Sequence, residues 1–125
     1  MTVHIPYYQN HFHHNIINGV RSTTIKTWQT GYGFHIQGSD WYGTSTLNQE
    51  NIIENNIMLN CDNGGIGISG NNYTIPTTLN VFRNNIIYEC GKSGTNYAIE
   101  FEIDPNNDSD GNIFQNNLAY NSNSN

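Results

Sequence analysis

Apolar and polar positions alternate along this chain in short runs, and one run returns four times. "NHFHHNIINGV" from Asn10, "NIIENNIMLNC" from Asn51, "NVFRNNIIYEC" from Asn80 and "NIFQNNLAYNS" from Asn112 share one frame, Asn-x-apolar-x-Asn/His-Asn-apolar-apolar. Four copies in 125 residues are an internal repeat. A helical repeat would place apolar residues at i, i+3, i+4 and i+7 among good helix formers. Here β-branched and aromatic residues sit in short runs broken by Asn pairs and Gly, which predicts strands of about three to five residues with tight corners. The copies are unevenly spaced, as in a coiled sheet whose links vary while its rungs stack.

Stacking assigns columns. Asn15, Asn56, Asn85 and Asn117 superpose at one corner, where Asn tolerates left-handed backbone and can hydrogen-bond up and down the stack as a ladder. Phe12, Ile53, Phe82 and Phe114 form one inward column; Ile17, Met58, Ile87 and Ala119 form a second. A third strand follows in "GFHIQG" (33–38), "GIGISG" (65–70) and "AIEFEI" (98–103). There Phe34, Ile66 and Ile99 point inward beside Ile36, Ile68 and Phe101, with strict period-two alternation. The predicted fold is all-β, a parallel β-solenoid of about four coils, with one unit over residues 1–125. Neither end reads as a cap, so a segment of a longer solenoid is expected.

Composition sharpens this picture. Only 35% of residues are hydrophobic and 11% charged, with 23 Asn and 12 Gly making up the polarity. Such a chain could be disordered, but apolar residues at fixed repeat positions argue for a folded rung. The net charge is −6, and the cations are Arg21, Lys26, Arg83 and Lys92. That excludes the basic footprint that nucleic acid or an anionic membrane requires. No apolar run is long enough for a membrane-spanning helix, and the start "MTVHIPYYQN" lacks a signal-peptide pattern.

The rung "NIIENNIMLNCDNGGIGISG", with its Asn-Asn corner and following Gly-Ile-x-Ile strand, resembles the right-handed parallel β-helix repeat family (pectate-lyase-like, PbH1-type) along essentially the whole chain. The resemblance implies the fold and, as a class, carbohydrate recognition, often with cleavage, at an extracellular or cell-surface location. The family includes polysaccharide lyases, glycoside hydrolases, epimerases, phage tailspikes and adhesins, so fold alone does not choose among them.

Candidate chemistry sits on outward positions of the third strand. One outward column is His35, Gly67 and Glu100; the next is Gln37, Ser69 and Glu102, with Asp40 and Asp104 at the strand ends. Gly67 leaves a trough between His35 and Glu100, whose Cα atoms lie about 10 Å apart from the strand spacing. Opposed carboxylates suit glycoside chemistry, so His35, Glu100 and Glu102 are the candidate catalytic residues, and the alternative is an ordinary solvated face. Gln37 and Asp40, with Trp41 and Tyr42 as sugar-stacking aromatics, are the candidate substrate-binding residues; Trp28 belongs to the same long first link.

In "DPNNDSDGN", Asn106, Asp108 and Asp110 before Gly111 match the opening of a calcium loop, although Asn117 stands where its later bidentate acid belongs. An Asx-rich turn is the alternative. In "HFHH", His11 and His13 share one side of a strand, too few ligands for zinc, and His14 takes a corner column otherwise filled by Asn. Arg83 should pair with Glu54 one coil away. Cys61 and Cys90 occupy equivalent positions in consecutive rungs, which permits either a disulfide or two stacked thiols.

Two functions follow. The first is a segment of a polysaccharide lyase or glycoside hydrolase acting on an extracellular polysaccharide, with calcium as the candidate cofactor. The second is a non-catalytic solenoid that binds glycans or surfaces, of the adhesin or phage-tail type. The scarcity of cations favours a neutral polysaccharide, or a calcium-bridged acidic one, as partner.

Overall fold

The computed structural model describes residues 9–21, 31–38, 48–70, 77–91, 97–102 and 111–122. These residues form thirteen short strands: β1 (His11–His13), β2 (Ile16–Asn18), β3 (Tyr32–Gly38), β4 (Asn48–Gln49), β5 (Ile52–Glu54), β6 (Ile57–Leu59), β7 (Gly64–Gly70), β8 (Thr77–Thr78), β9 (Val81–Arg83), β10 (Ile86–Tyr88), β11 (Ile99–Glu102), β12 (Ile113–Gln115) and β13 (Leu118–Tyr120). Every pairing between them is parallel. The first face is β1-β5-β9-β12, the second β2-β6-β10-β13 and the third β3-β7-β11, with β4 and β8 as a separate pair. The fold is a right-handed parallel β-helix, with four coils on its first two faces.

The predicted columns are in register. Phe12, Ile53, Phe82 and Phe114 are successive partners, and so are Ile17, Met58, Ile87 and Ala119. The two central coils bury their members fully, and Phe82 stacks on Phe114 with centroids 4.8 Å apart. The end coils leave Phe12, Ile17 and Phe114 only partly buried and Ala119 exposed, because each has a neighbour on one side.

The corners follow a five-residue rhythm. Left-handed backbone recurs at Gln9, Glu50, Leu79 and Gly111, at His14, Asn55, Asn84 and Asn116, and at Gly19, Asn60, Glu89 and Asn121. Each is followed by an inward residue: an Asn at the first two corners, and Val20, Cys61, Cys90 or Ser122 at the third. The expectation that Asn15, Asn56, Asn85 and Asn117 adopt left-handed backbone is thus corrected by one position. The preceding residue makes the turn, which frees the second Asn of each pair to point inward and bond.

That bonding is a ladder. Asn51 N–H and Nδ2 both donate to Asn80 Oδ1 at 3.0 and 2.9 Å, and Asn80 repeats the pattern to Asn112 Oδ1. A parallel ladder runs from Asn15 through Asn56 and Asn85 to Asn117. Its amides also donate across the corner, as Asn85 Nδ2 does to Ile53 O. Asn51, Asn56, Asn80 and Asn85 are all buried. Satisfying a buried backbone donor avoids a penalty of about 1–3 kcal/mol, so these amides stand in for the core that a 35% hydrophobic chain could not otherwise build.

The third corner repeats the device with other side chains. Cys61 N–H donates to Cys90 Sγ at 3.5 Å, and Cys90 N–H donates to Ser122 Oγ at 3.1 Å. Both cysteines are buried free thiols. The hydrogen bond to Cys90 and then burial push the Cys61 thiol far above its ordinary range.

On the third face, alternation breaks once. A Cβ on Gly33 would lie 2.6 Å from Met58 Cγ, and one on Gly65 would lie 2.5 Å from Ile87 Cγ2. Both glycines therefore face the core immediately before the inward Phe34 and Ile66. Two consecutive inward positions make the entry to this face, and they swing Tyr32 to the outer side.

Candidate functional site

The outer side of the third face carries the predicted column. His35 pairs with Gly67, and Gly67 with Glu100, along adjacent strands. The expectation that His35 faces solvent is overturned, since it is only 1% exposed. Its ring is stacked on that of Tyr32, with centroids 5.1 Å apart and planes 19° apart. Tyr32 is itself buried.

The Tyr32 ring also occupies the expected trough. A Cβ on Gly67 would meet ring atoms Cδ1 and Cε1 at 2.8 Å, and one on Gly64 would meet the same atoms at 3.0 Å. Only glycine at both positions lets an aromatic ring lie this close to the strand. From that seat the phenol crosses two coils and donates to Glu100 Oε2 at 2.5 Å. The residues thus assemble into a Tyr32–His35–Glu100 cluster whose ring fills the space that was expected to be open. Period-two counting on "YGFHIQG" groups Tyr32 with the inward Phe34 and Ile36, so the sequence reading missed Tyr32. The glycine after it was the available signal.

Gln37 and Glu102 hold the expected register, each opposite Ser69 on β7; the structure describes their backbone. Asp40, Trp41, Tyr42, Asn106, Asp108 and Asp110 lie outside the described residues, as do Trp28 and Asp104. Among the described residues, no group of three His, Cys, Asp or Glu side chains is placed to hold a metal ion. No helix of the described residues is long and apolar enough to cross a membrane.

The first face carries a cluster of charged residues. Arg83 Nε donates to Glu54 Oε2 at 2.5 Å, as expected from their column, and His11 Nε2 lies 2.6 Å from Glu54 Oε1. Hydrogen bonds from Arg83 and then His11 hold the Glu54 carboxyl below the usual carboxylate range. His13 Nδ1 and His14 Nδ1 lie 2.8 Å apart, one ring serving as donor and the other as acceptor. Arg21 Nη1 donates to Asp62 Oδ1 and to Asn60 O. Both described arginines are therefore committed to carboxylates.

The second face was not singled out by sequence reasoning. It presents two outward columns, Ile16–Ile57–Ile86–Leu118 and Asn18–Leu59–Tyr88–Tyr120. Tyr88 and Tyr120 are exposed and stacked, with centroids 5.8 Å apart. Every third residue of β6, β10 and β13 being apolar or aromatic on the outside was the signal that could have found it.

Fold and surface together define a parallel β-helix of the asparagine-ladder kind. Comparison with family models, with curated proteins and with solved structures finds no match.

Proposed function

We propose that this chain is a carbohydrate-binding segment of a β-solenoid, with an uncharged polysaccharide as ligand at a cell surface or outside the cell. The observation that supports it most is the commitment of Arg21 to Asp62 and of Arg83 to Glu54. A uronan or sulfated glycan needs cations for its acid groups, and both described arginines are already used. The hydroxyls and C–H faces of a neutral sugar need amides, hydroxyls and apolar surface instead, which the coils expose in quantity.

Binding without cleavage is favoured over catalysis because His35 is buried and the outer face beside it is filled by Tyr32. A general acid or base must reach the glycosidic oxygen or a sugar proton. One observation favours the second reading, a lyase or hydrolase: a phenol and a carboxylate joined at 2.5 Å form a couple able to pass a proton. In that reading Glu100 acts with Glu102, and Gln37, Asp40, Trp41 and Tyr42 hold the sugar.

A panel of neutral and acidic polysaccharides, scored for retention and for product release, tests both readings. Retention on neutral polymers without product supports the binding solenoid. Product release that disappears in Glu100→Gln establishes the enzyme, and retention by acidic polymers alone refutes the neutral ligand. Calcium at Asn106, Asp108 and Asp110 is a further part of the proposal. Millimolar calcium should raise the melting temperature, and no shift removes the site.

A further inference from the structure

The three faces differ in what they leave open. The first carries the Glu54–Arg83 and Glu54–His11 pairs. The third is capped by the Tyr32 ring over Gly64 and Gly67. The second has no charged residue in β2, β6, β10 or β13. In the interior coils Ile86 is 42% and Tyr88 36% exposed while Ile57 and Leu59 are half-buried, and Ile16, Leu118 and Tyr120 are more exposed on the end coils. Isolated exposed apolar residues are ordinary, and here they adjoin along two columns of one face.

We infer that the outer side of the second face is the seat of the polysaccharide, with one unbranched, uncharged chain lying along the helix axis. This rests on the glycan-binding reading above and assigns its site. Three arguments select that occupant.

The first is size. Three residues per strand give a strip only about 10 Å wide. The patch of about 800 Å² that a stable protein interface needs from each partner is nearly three times as broad, so a globular protein fits this strip poorly. A single glycan chain is long and narrow, and it fits the strip.

The second is chemistry. The absence of charge in all four strands matches a ligand without charge. The isoleucine and leucine column offers an apolar bed for the C–H faces of sugar rings, and the Tyr88–Tyr120 pair offers aromatic surface with phenolic hydroxyls.

The third is the edging. The turn positions on one side are Asn55, Asn84 and Asn116 below His14, and on the other Asn60 and Asn121 flank Glu89, whose carboxylate accepts from Asn121 Nδ2. The Asn55, Asn84 and Asn116 amides recur at the strand repeat of about 4.8 Å and suit the hydroxyls along a polymer's rim. The ladders lock the backbone beneath them, so little order is lost on binding.

The test uses the full chain, with insoluble cellulose and chitin as neutral probes and polygalacturonate as the acidic one. Tyr88→Ser/Tyr120→Ser and Ile86→Lys alter the second face at exposed positions, and Gln115→Ala, exposed on the first face, is the control. The expected result is retention of the unaltered chain on a neutral polymer, weakened about tenfold or more by both second-face variants. Gln115→Ala retains full binding, and the chain sediments as a monomer. Binding that survives both second-face variants overturns the site while leaving the glycan-binding reading intact. A dimer that either variant dissociates overturns the glycan as occupant. No retention on any probe removes the reading and the site together.

Discussion

Asn56 and Asn85 stand one coil apart, and both the backbone N–H and the side-chain Nδ2 of Asn56 donate to Asn85 Oδ1, at 3.0 and 3.1 Å. One oxygen thereby satisfies two buried donors. Asn85→Ala strands both of them and removes the amide that serves Ile53 O. The expected cost is about 2–4 kcal/mol from the buried-donor penalty, read as a lower urea midpoint with an unchanged slope. Asn85→Asp keeps the acceptor but loses the donor and adds a buried charge, so it should recover part of its stability as pH falls.

Gly67→Ala places a methyl group against the Tyr32 ring, where 2.8 Å is available. The ring has to leave its seat, and the phenol then loses Glu100. A destabilisation of about 1–3 kcal/mol is expected from overpacking, accompanied by a changed tyrosine near-ultraviolet dichroism. Tyr32→Ala in the same background should relieve much of the added strain, and additive losses would refute the contact.

Much of this was legible beforehand, and the exceptions have physical causes. The Phe12–Ile53–Phe82–Phe114 column and the Arg83–Glu54 pair follow from repeat alignment, because stacked coils place equal positions together. The left-handed turn was displaced by one residue because two adjacent asparagines look alike in sequence while only one points inward. His35 was expected outside and is buried, since alternation describes a strand and says nothing of a ring folded over it from Tyr32. The core face of Gly33 and Gly65 creates that fold-over, and no periodicity announces it.

Glu54 gives the protein an acid-sensitive joint. Its carboxyl is held below the usual carboxylate range by Arg83 and then His11. A depressed folded-state value contributes stability above the unfolded carboxylate range, and this is lost as pH falls through the folded value. Stability should therefore decline on acidification below about pH 4.5, and Glu54→Gln should lose part of that dependence. Equal acid profiles for the two proteins would disprove the coupling.

Cys61 gives the opposite limit. Its thiol is raised by the bond to Cys90 and by burial, so folded protein keeps the proton after the unfolded chain has released it. The contribution is complete below the unfolded thiol value of about 8.5 and fades as pH rises beyond it. The same bond lowers the Cys90 thiol, which contributes with the opposite sign, so the Cys61 share is read as the difference between the alkaline melting curves of the unaltered chain and Cys61→Ser. Neither Cys61 nor Cys90 should react with a thiol reagent under native conditions at neutral pH, and both should react in denaturant.

The five-residue corner rhythm has a consequence for how this chain can change in length. From Gln9 to Val20, Glu50 to Cys61, Leu79 to Cys90 and Gly111 to Ser122, the count is the same in every coil, while the copies begin 41, 29 and 32 residues apart. An insertion inside the corner stretch would rotate every later side chain out of its column. Growth and shrinkage are thus confined to the connecting segments or to whole turns. Excising residues 51–79, which brings Asn80 into the place of Asn51, is the smallest whole-turn cut that leaves each ladder with a partner.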